Sequence, residues 1–242
     1  MMSRFILFGK TDPGQHRKKN EDTILVNQEK GFCLVADGIG GAVAGDIASQ
    51  LFASTAQDVF SMKHNTDDQG GELVQKTFQI ANDSILQYVQ DNPACEGMGC
   101  TAEVLAFEET RFVLGHMGDS RTYRLREGVL TQLTKDHSLV QEQLEQGLIT
   151  PEEASKHSFK NIILRAVGIK KNPSLDILRG NTFAGDLFLL CSDGLSDMIE
   201  DALILKHLNS SADIREKVEA LISEANARGG KDNISVVLAQ IL

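Results

Sequence analysis

Apolar residues in this chain come in short runs bounded by Gly, Asp and Asn, and between the runs lie stretches of helical spacing. Arg4–Gly9, Asp22–Asn27 and Gly31–Ala36 carry β-branched and aromatic residues between turn formers, which predicts three short strands. From Ala44 to Met62 apolar positions recur at Ile47, Ala48, Leu51, Phe52, Thr55 and Val59, the three-and-four spacing of an amphipathic helix. Leu73–Val89 repeats that pattern through Phe78, Ile85 and Val89. Thr101–Phe107, Arg111–His116, Arg121–Leu125 and Val129–Leu133 then read as strands. Glu108-Glu109-Thr110 and Arg126-Glu127-Gly128 are their turns, so an antiparallel meander is predicted. Asp136–His157 is polar and helical, with a second helix start at Thr150-Pro151-Glu152-Glu153, where Thr caps, Pro takes the first turn and Glu sits at N3. Leu175–Leu178, Asp186–Cys191 and Ile234–Ile241 are further strands, and Leu203–Leu208 and Ile214–Ala227 are helices. Strands in runs with helices in pairs between them favour antiparallel sheets covered by helices over alternating βαβ units.

Composition narrows the reading. The 242 residues are 41% hydrophobic and 24% charged, enough for one sizeable core. Only 4 Pro are present, and no linker, repeat or low-complexity tract divides the chain, so residues 1–242 read as a single domain. The apolar patch Phe5-Ile6-Leu7-Phe8 is too short for a signal segment, and no stretch reaches membrane-spanning length. Cys33, Cys95, Cys100 and Cys191 lack CxxC spacing, and Cys33 and Cys191 fall inside apolar runs. Buried reduced thiols in a cytoplasmic protein are expected. The net charge of −10 argues against nucleic-acid or anionic-membrane binding.

Four aspartates, Asp37, Asp119, Asp193 and Asp232, stand where apolar runs end in tight turns: Ala36-Asp37-Gly38-Ile39-Gly40-Gly41, Gly118-Asp119-Ser120, Ser192-Asp193-Gly194 and Gly229-Gly230-Lys231-Asp232-Asn233. Short carboxylates placed rigidly beside exposed backbone carbonyls suit hard divalent cations such as Mg²⁺ and Mn²⁺. Without cations, two carboxylates about 4 Å apart repel by roughly 4 kcal/mol at an effective dielectric of about 20. A metal enzyme acting on a phosphorylated substrate is therefore expected, with local cations and one Arg reversing the acidic field. Any one Asp-Gly turn alone is a weak signal. The basic segment Arg17-Lys18-Lys19-Asn20-Glu21-Asp22 and the four acidic segments, in this order along the chain, are a specific one.

On these segments the sequence resembles the metal-dependent PPM protein phosphatases, the type 2C Ser/Thr phosphatases, in their compact bacterial form. Met98-Gly99-Cys100-Thr101 is similar to the family's Met-Gly-Thr-Thr element, and Gly185–Gly194 to its strand-and-metal segment. The resemblance runs from about Thr11 to the C-terminus. It implies an α+β fold: two central antiparallel β-sheets flanked by helices on both sides (an αββα sandwich), with a flap subdomain at about 136–168. It implies a metal pair bridged by Asp37, with the Gly38 carbonyl on one ion and Asp193 and Asp232 completing the other. Glu21 and Asp22 would hold metal-bound waters. Asp119 with Asp193 would serve a third ion, and Arg17 would hold the substrate phosphate. A hydroxide bridging the two ions would attack phosphoserine or phosphothreonine, with charge on the phosphoryl oxygens neutralised by metal and Arg17. The partners it implies are phosphoproteins, those of a cognate bacterial Ser/Thr kinase, acted on by a monomer.

The chain departs from the family at several points. Many eukaryotic members have His directly after the Asp-Gly, proposed as general acid; here it is Ile39, which leaves metal-bound water, or His116 or His137 by exhaustion. Gly45-Asp46 replaces Gly-Glu, and His157-Ser158 replaces His-Pro. Competing chemistries fit less well. No Cys is followed six residues on by Arg, as Cys-based phosphatases require. Gly38–Gly45 lacks the Gly-Lys-Ser/Thr end of a P-loop. A carboxylate-metal nuclease lacks a basic stripe. The non-enzyme alternative is a catalytically silent phosphoprotein-binding module of the same fold.

Overall fold

The computed structural model describes residues 4–40, 44–62, 69–155, 157 and 159–242. Gly41 and Ser158, two positions of the family comparison above, lie outside them. One sheet has the order β1 (Phe5–Asp12), β12 (Ile234–Ile241), β11 (Leu187–Cys191), β8 (Arg121–Arg126) and β9 (Val129–Gln132). The other has the order β10 (Asp176–Asn181), β7 (Arg111–Met117), β6 (Ala102–Phe107), β3 (Phe32–Ala36) and β2 (Thr23–Asn27). Every pairing is antiparallel, including a small ribbon of β4 (Gly38–Ile39) with β5 (Gly99–Cys100).

Alternation within the buried strands builds the layers. Cys33 and Val35 of β3, Phe188 and Leu190 of β11, and Val237 and Ala239 of β12 point between the sheets, with Leu105, Phe112 and Leu114. Phe32, Leu34 and Ala36 point the other way, onto α1 (Gly45–Ser61) and α2 (Gly70–Asp91), where Phe52, Phe60 and Phe78 meet them. Leu189, Cys191, Val236 and Leu238 pack outward against Ile204 of α6 (Asp201–Leu208) and Val218 and Leu221 of α7 (Ile214–Ala227). Both faces of each sheet are therefore covered, the arrangement the run-and-pair pattern predicted. All four Cys are free, and Cys33, Cys100 and Cys191 are buried. Among the described residues no helix is long and apolar enough to cross a membrane.

Several boundaries differ from the sequence expectation. Strand β1 continues past Gly9 to Asp12, because β12 pairs with it along its whole length, Phe5 with Ile241 and Asp12 with Ile234. The polar stretch after Asp136 forms the two helices its second start implied, but both are shorter than the stretch: α3 (Leu139–Glu145) and α4 (Pro151–Ser155). The predicted capping box is present in α4: Thr150 Oγ1 accepts from the Glu153 N–H, and the Thr150 N–H donates to Glu153 Oε2. The predicted turn at Ser192-Asp193-Gly194 instead opens a one-turn helix, α5 (Asp193–Ser196).

Candidate metal centre

The antiparallel register brings the chosen acids to one end of the sandwich. Thr23 pairs with Ala36, so Asp22 and Asp37 leave β2 and β3 at the same end. Cys191 pairs with both Val236 and Arg121, which sets Asp193, Asp232 and Asp119 beside one another. Asp12 pairs with Ile234, so the loop after β1 lands next to Asp232. The result is a cleft of about 270 Å³ lined by Arg17, Glu21, Asp37, Gly38, Ile39, Gly40, Asp119, Asn161, Ile163, Asp193, Asp232 and Asn233.

Backbone contacts hold this end together. The Asp37 N–H donates to Thr101 Oγ1 at 3.2 Å, and the Thr101 N–H donates to the Asp37 carbonyl at 2.9 Å. The Thr101 hydroxyl also meets Ser120 Oγ at 2.7 Å, which ties the Asp37 turn to the Asp119 turn. At Gly38 any Cβ would lie 2.2 Å from the Gly45 carbonyl oxygen and 2.7 Å from that of Glu21, so only glycine fits between these strands of chain. The Asp119 loop is clasped from behind by His137, which accepts from the Gly118 N–H at Nδ1 (3.1 Å) and donates its own N–H to the Gly118 carbonyl (2.7 Å).

The electrostatics are those of a buried acidic cluster. Burial raises the Asp37 carboxyl well above its ordinary range, and the charges of Asp22, Asp193, Asp119 and Asp232 raise it further. Asp193 is raised in the same way by burial and by Asp119, Asp197 and Asp232. Burial, with Asp136 next, pushes Asp119 up to about 7, and burial pushes Asp22 up to about 6 against hydrogen bonds from Ser235 and Ser192. Glu21 is also raised, first by burial. Buried oxygens Oδ1 of Asp22, Asp119 and Asp193 have no hydrogen-bond partner. Unsatisfied carboxylate oxygens at raised pKa are a donor set that hard divalent cations satisfy.

Two expected residues are placed differently from the rest. Asp22 does not line the cleft; it lies behind Asp37, where Oδ2 accepts from Ser192 Oγ (2.8 Å) and Ser235 Oγ (2.6 Å). Arg17 is half-exposed at the cleft rim, with Nη2 donating to Asp232 Oδ2 at 2.7 Å. Among the described residues no group of three or more His, Cys, Asp or Glu closes into a ready-made cage. Asp232 is engaged by Arg17, and Asp22 by the two serines.

Neither histidine candidate lines the cleft. His116 is buried, with Nδ1 against Glu103 Oε1 and Nε2 donating to the Lys135 carbonyl at 2.8 Å. Burial alone would lower its pKa, but Glu103 overrides this and holds it at about 9. His137 is lowered to about 4, first by burial and then by His116. The cleft residues missed from sequence are Asn161 and Ile163, from the segment after α4, and Asn233; for Asn233 the signal was its place directly after Asp232.

Comparison with known proteins agrees with this geometry. The Protein phosphatase 2C family matches residues 15–239. The chain is 40% identical over 238 residues to the serine/threonine protein phosphatase PstP of Mycobacterium tuberculosis, covering 96% of this chain but only 44% of PstP. It is 37% identical to the serine/threonine phosphatase stp of Listeria monocytogenes, over 96% of this chain and 94% of the relative. The catalytic domain of PstP in complex with two manganese ions superposes with a TM-score of 0.89 at 36% identity, over 98% of each chain. Stp1 of Staphylococcus aureus gives 0.90 at 32% identity, over 100% of this chain and 96% of that one. With the family's match spanning nearly the whole chain and relatives above 30% identity sharing its layered fold, the chain belongs to the protein phosphatase 2C family.

Proposed function

We propose that the chain is a metal-dependent protein phosphatase that hydrolyses phosphoserine and phosphothreonine, using Mn²⁺ or Mg²⁺. The observation that carries this is the cluster of Asp37, Asp119, Asp193 and Asp232 in one cleft with Arg17 at its rim. Asp37, the Gly38 carbonyl, Asp193 and Asp232 would hold two ions, Asp119 with Asp193 a third, and Glu21 would act through water. When bound, the ions supply a lowered pKa for water and neutralise phosphoryl charge. Asp22, buried beside Asp37 and fastened by two serine hydroxyls, would act on the ions through water, as Glu21 would. Arg17 offers a planar fork to the phosphate oxygens, and Asp232 aims it. Ile39 in the wall has no ionisable group to donate a proton, so the leaving oxygen would take its proton from water in the cleft.

Residues 1–242 act as one phosphatase unit in this reading, with 136–168 as a flap beside the cleft. The substrates are phosphoproteins, those of a cognate bacterial Ser/Thr kinase, and the enzyme works as a monomer in the cytoplasm. The test is release of phosphate from p-nitrophenyl phosphate and a phosphothreonine peptide with Mn²⁺ or Mg²⁺, with and without chelator. Metal-dependent release is expected. Silence with both metals would favour a phosphoprotein-binding module without turnover.

A further inference from the structure

Asn233 spends its whole carboxamide on one loop. Its Oδ1 accepts from the Glu21 N–H at 2.8 Å, and its Nδ2 donates to the carbonyls of Pro13 at 3.1 Å and Lys19 at 3.0 Å. These three backbone groups belong to the loop between β1 and β2 that carries Arg17 and Glu21. The Asn233 N–H donates to Asp232 Oδ1 at 2.8 Å, which leaves Asp232 Oδ2 to receive Arg17. Asn233 thus touches both sides of the Arg17–Asp232 pair, its side chain the Arg17 loop and its backbone the Asp232 carboxylate, and it is only 4% exposed.

The loop is seated close enough for such aim to matter. At Gly14, φ is +76° and a Cβ would lie 2.1 Å from the Asp232 carbonyl oxygen, so the two loops touch backbone to backbone. The Gln15 N–H donates to the Gly230 carbonyl at 2.7 Å. Other bonds keep the loop folded without Asn233: Gly14 N–H to Asp12 Oδ1, Asn20 Nδ2 to Thr11 Oγ1, and Lys19 Nζ to Asp46 Oδ1. None of these fixes where Arg17 stands relative to Asp232.

We infer that Asn233 is a positioning residue for phosphate recognition: it sets the reach of the Arg17 guanidinium into the cleft by holding the Arg17 loop against the Asp232 turn. The inference rests on Arg17 being the phosphate ligand of the proposed function. Its geometric reason is that the three bonds use both N–H donors and the oxygen of the carboxamide at once, and asparagine alone offers a donor pair and an acceptor at this length. Loss of the bonds frees the loop to move as a unit, and Arg17 with it.

The experiment compares the wild type, Asn233→Ala, Arg17→Ala and the double variant in Mn²⁺. In Asn233→Ala, KM for a phosphothreonine peptide and Ki for inorganic phosphate should rise about tenfold, with kcat changed less than KM. Mn²⁺ affinity by calorimetry should fall by a smaller factor than KM rises, since Asp37, Asp193 and Asp232 stay in place and only Glu21, which acts through water, moves with the loop. Adding Asn233→Ala to Arg17→Ala should raise KM no further, because both changes remove one interaction. Should Asn233→Ala not fold, Asn233→Asp is used, which keeps the acceptor for Glu21 and loses both donors. Additive KM effects, unchanged KM and Ki in a folded variant, or loss of folding in both variants would each overturn the inference. A wild type that releases no phosphate refutes the functional reading instead, and calorimetric binding of inorganic phosphate by the same four proteins then decides the role of Asn233.

Discussion

Asp37 has few ways to be comfortable without a cation. It is buried, faces four other carboxylates, and its backbone is pinned on both sides by Thr101. A group in this setting lowers the stability of the metal-free fold while serving the loaded one. Asp37→Asn removes the charge and keeps the shape. It should lose about a thousandfold or more in kcat, roughly 4 kcal/mol of barrier. In chelator the same variant should melt about 3 °C higher than the wild type, about 1 kcal/mol of relieved repulsion. Wild-type turnover would remove Asp37 from the chemistry, and a lower melting temperature in chelator would remove the repulsion argument. At this scale the sequence was informative for the acids, because Asp at a strand-to-glycine junction is a local pattern. It was not informative for the hydroxyls that fasten Asp22, because Ser192 and Ser235 are 170 and 213 residues away in the chain and meet it only across the sandwich.

Elements decide what those residues face. Glu103 of β6, His116 of β7 and Thr122 of β8 join in one buried network, and Thr122 Oγ1 donates to Glu103 Oε2 at 2.5 Å, so the two sheets are bonded to each other near the cleft end. Sequence reading offered His116 as a proton donor by exhaustion; its strand, buried between partners, makes it a structural ion pair instead. The segment with α3 and α4 is anchored at its far end, where Leu139 and Leu164 N–H groups donate to the Ile162 and His137 carbonyls, and Lys160 pairs with Asp197 beside α5. Between these anchors Asn161 and Ile163 reach the cleft. Exchanging 136–168 for the matching segment of a relative should change preference among phosphopeptides while sparing p-nitrophenyl phosphate, measured as kcat/KM for each. Unchanged peptide preference would leave the segment as a solvated helix pair.

The whole molecule carries the acidic cluster as a pH-dependent load. Asp119 at about 7 and Asp22 at about 6 are raised above the ordinary carboxylate value of about 3.9, mainly by burial. Groups raised in the folded state contribute stability that is full below the unfolded value and lost as pH rises through the folded one. The melting temperature in chelator should therefore fall between about pH 4 and pH 7, less steeply in Asp119→Asn. Saturating Mn²⁺ should offset the fall, because ions that bind only the folded chain stabilise it by mass action. A flat profile in chelator, or the same slope in Asp119→Asn, would show that the cluster is not the source.

The sequence by itself determined the layered class and the identity of the cleft acids. Period-two and period-3.6 patterns are local, and so is an acid followed by a glycine turn. The resemblance to a phosphatase family added the order of the motifs. Only the tertiary structure decided which ends of the strands meet, that β1 runs on to Asp12, that Asp193 begins a helix, and that Asp22 lies behind the cleft. It also decided that Asn233 fastens the Arg17 loop. Each of these depends on antiparallel register between strands distant in the chain, and register is set by the packing of both sheet faces at once, which no single segment encodes.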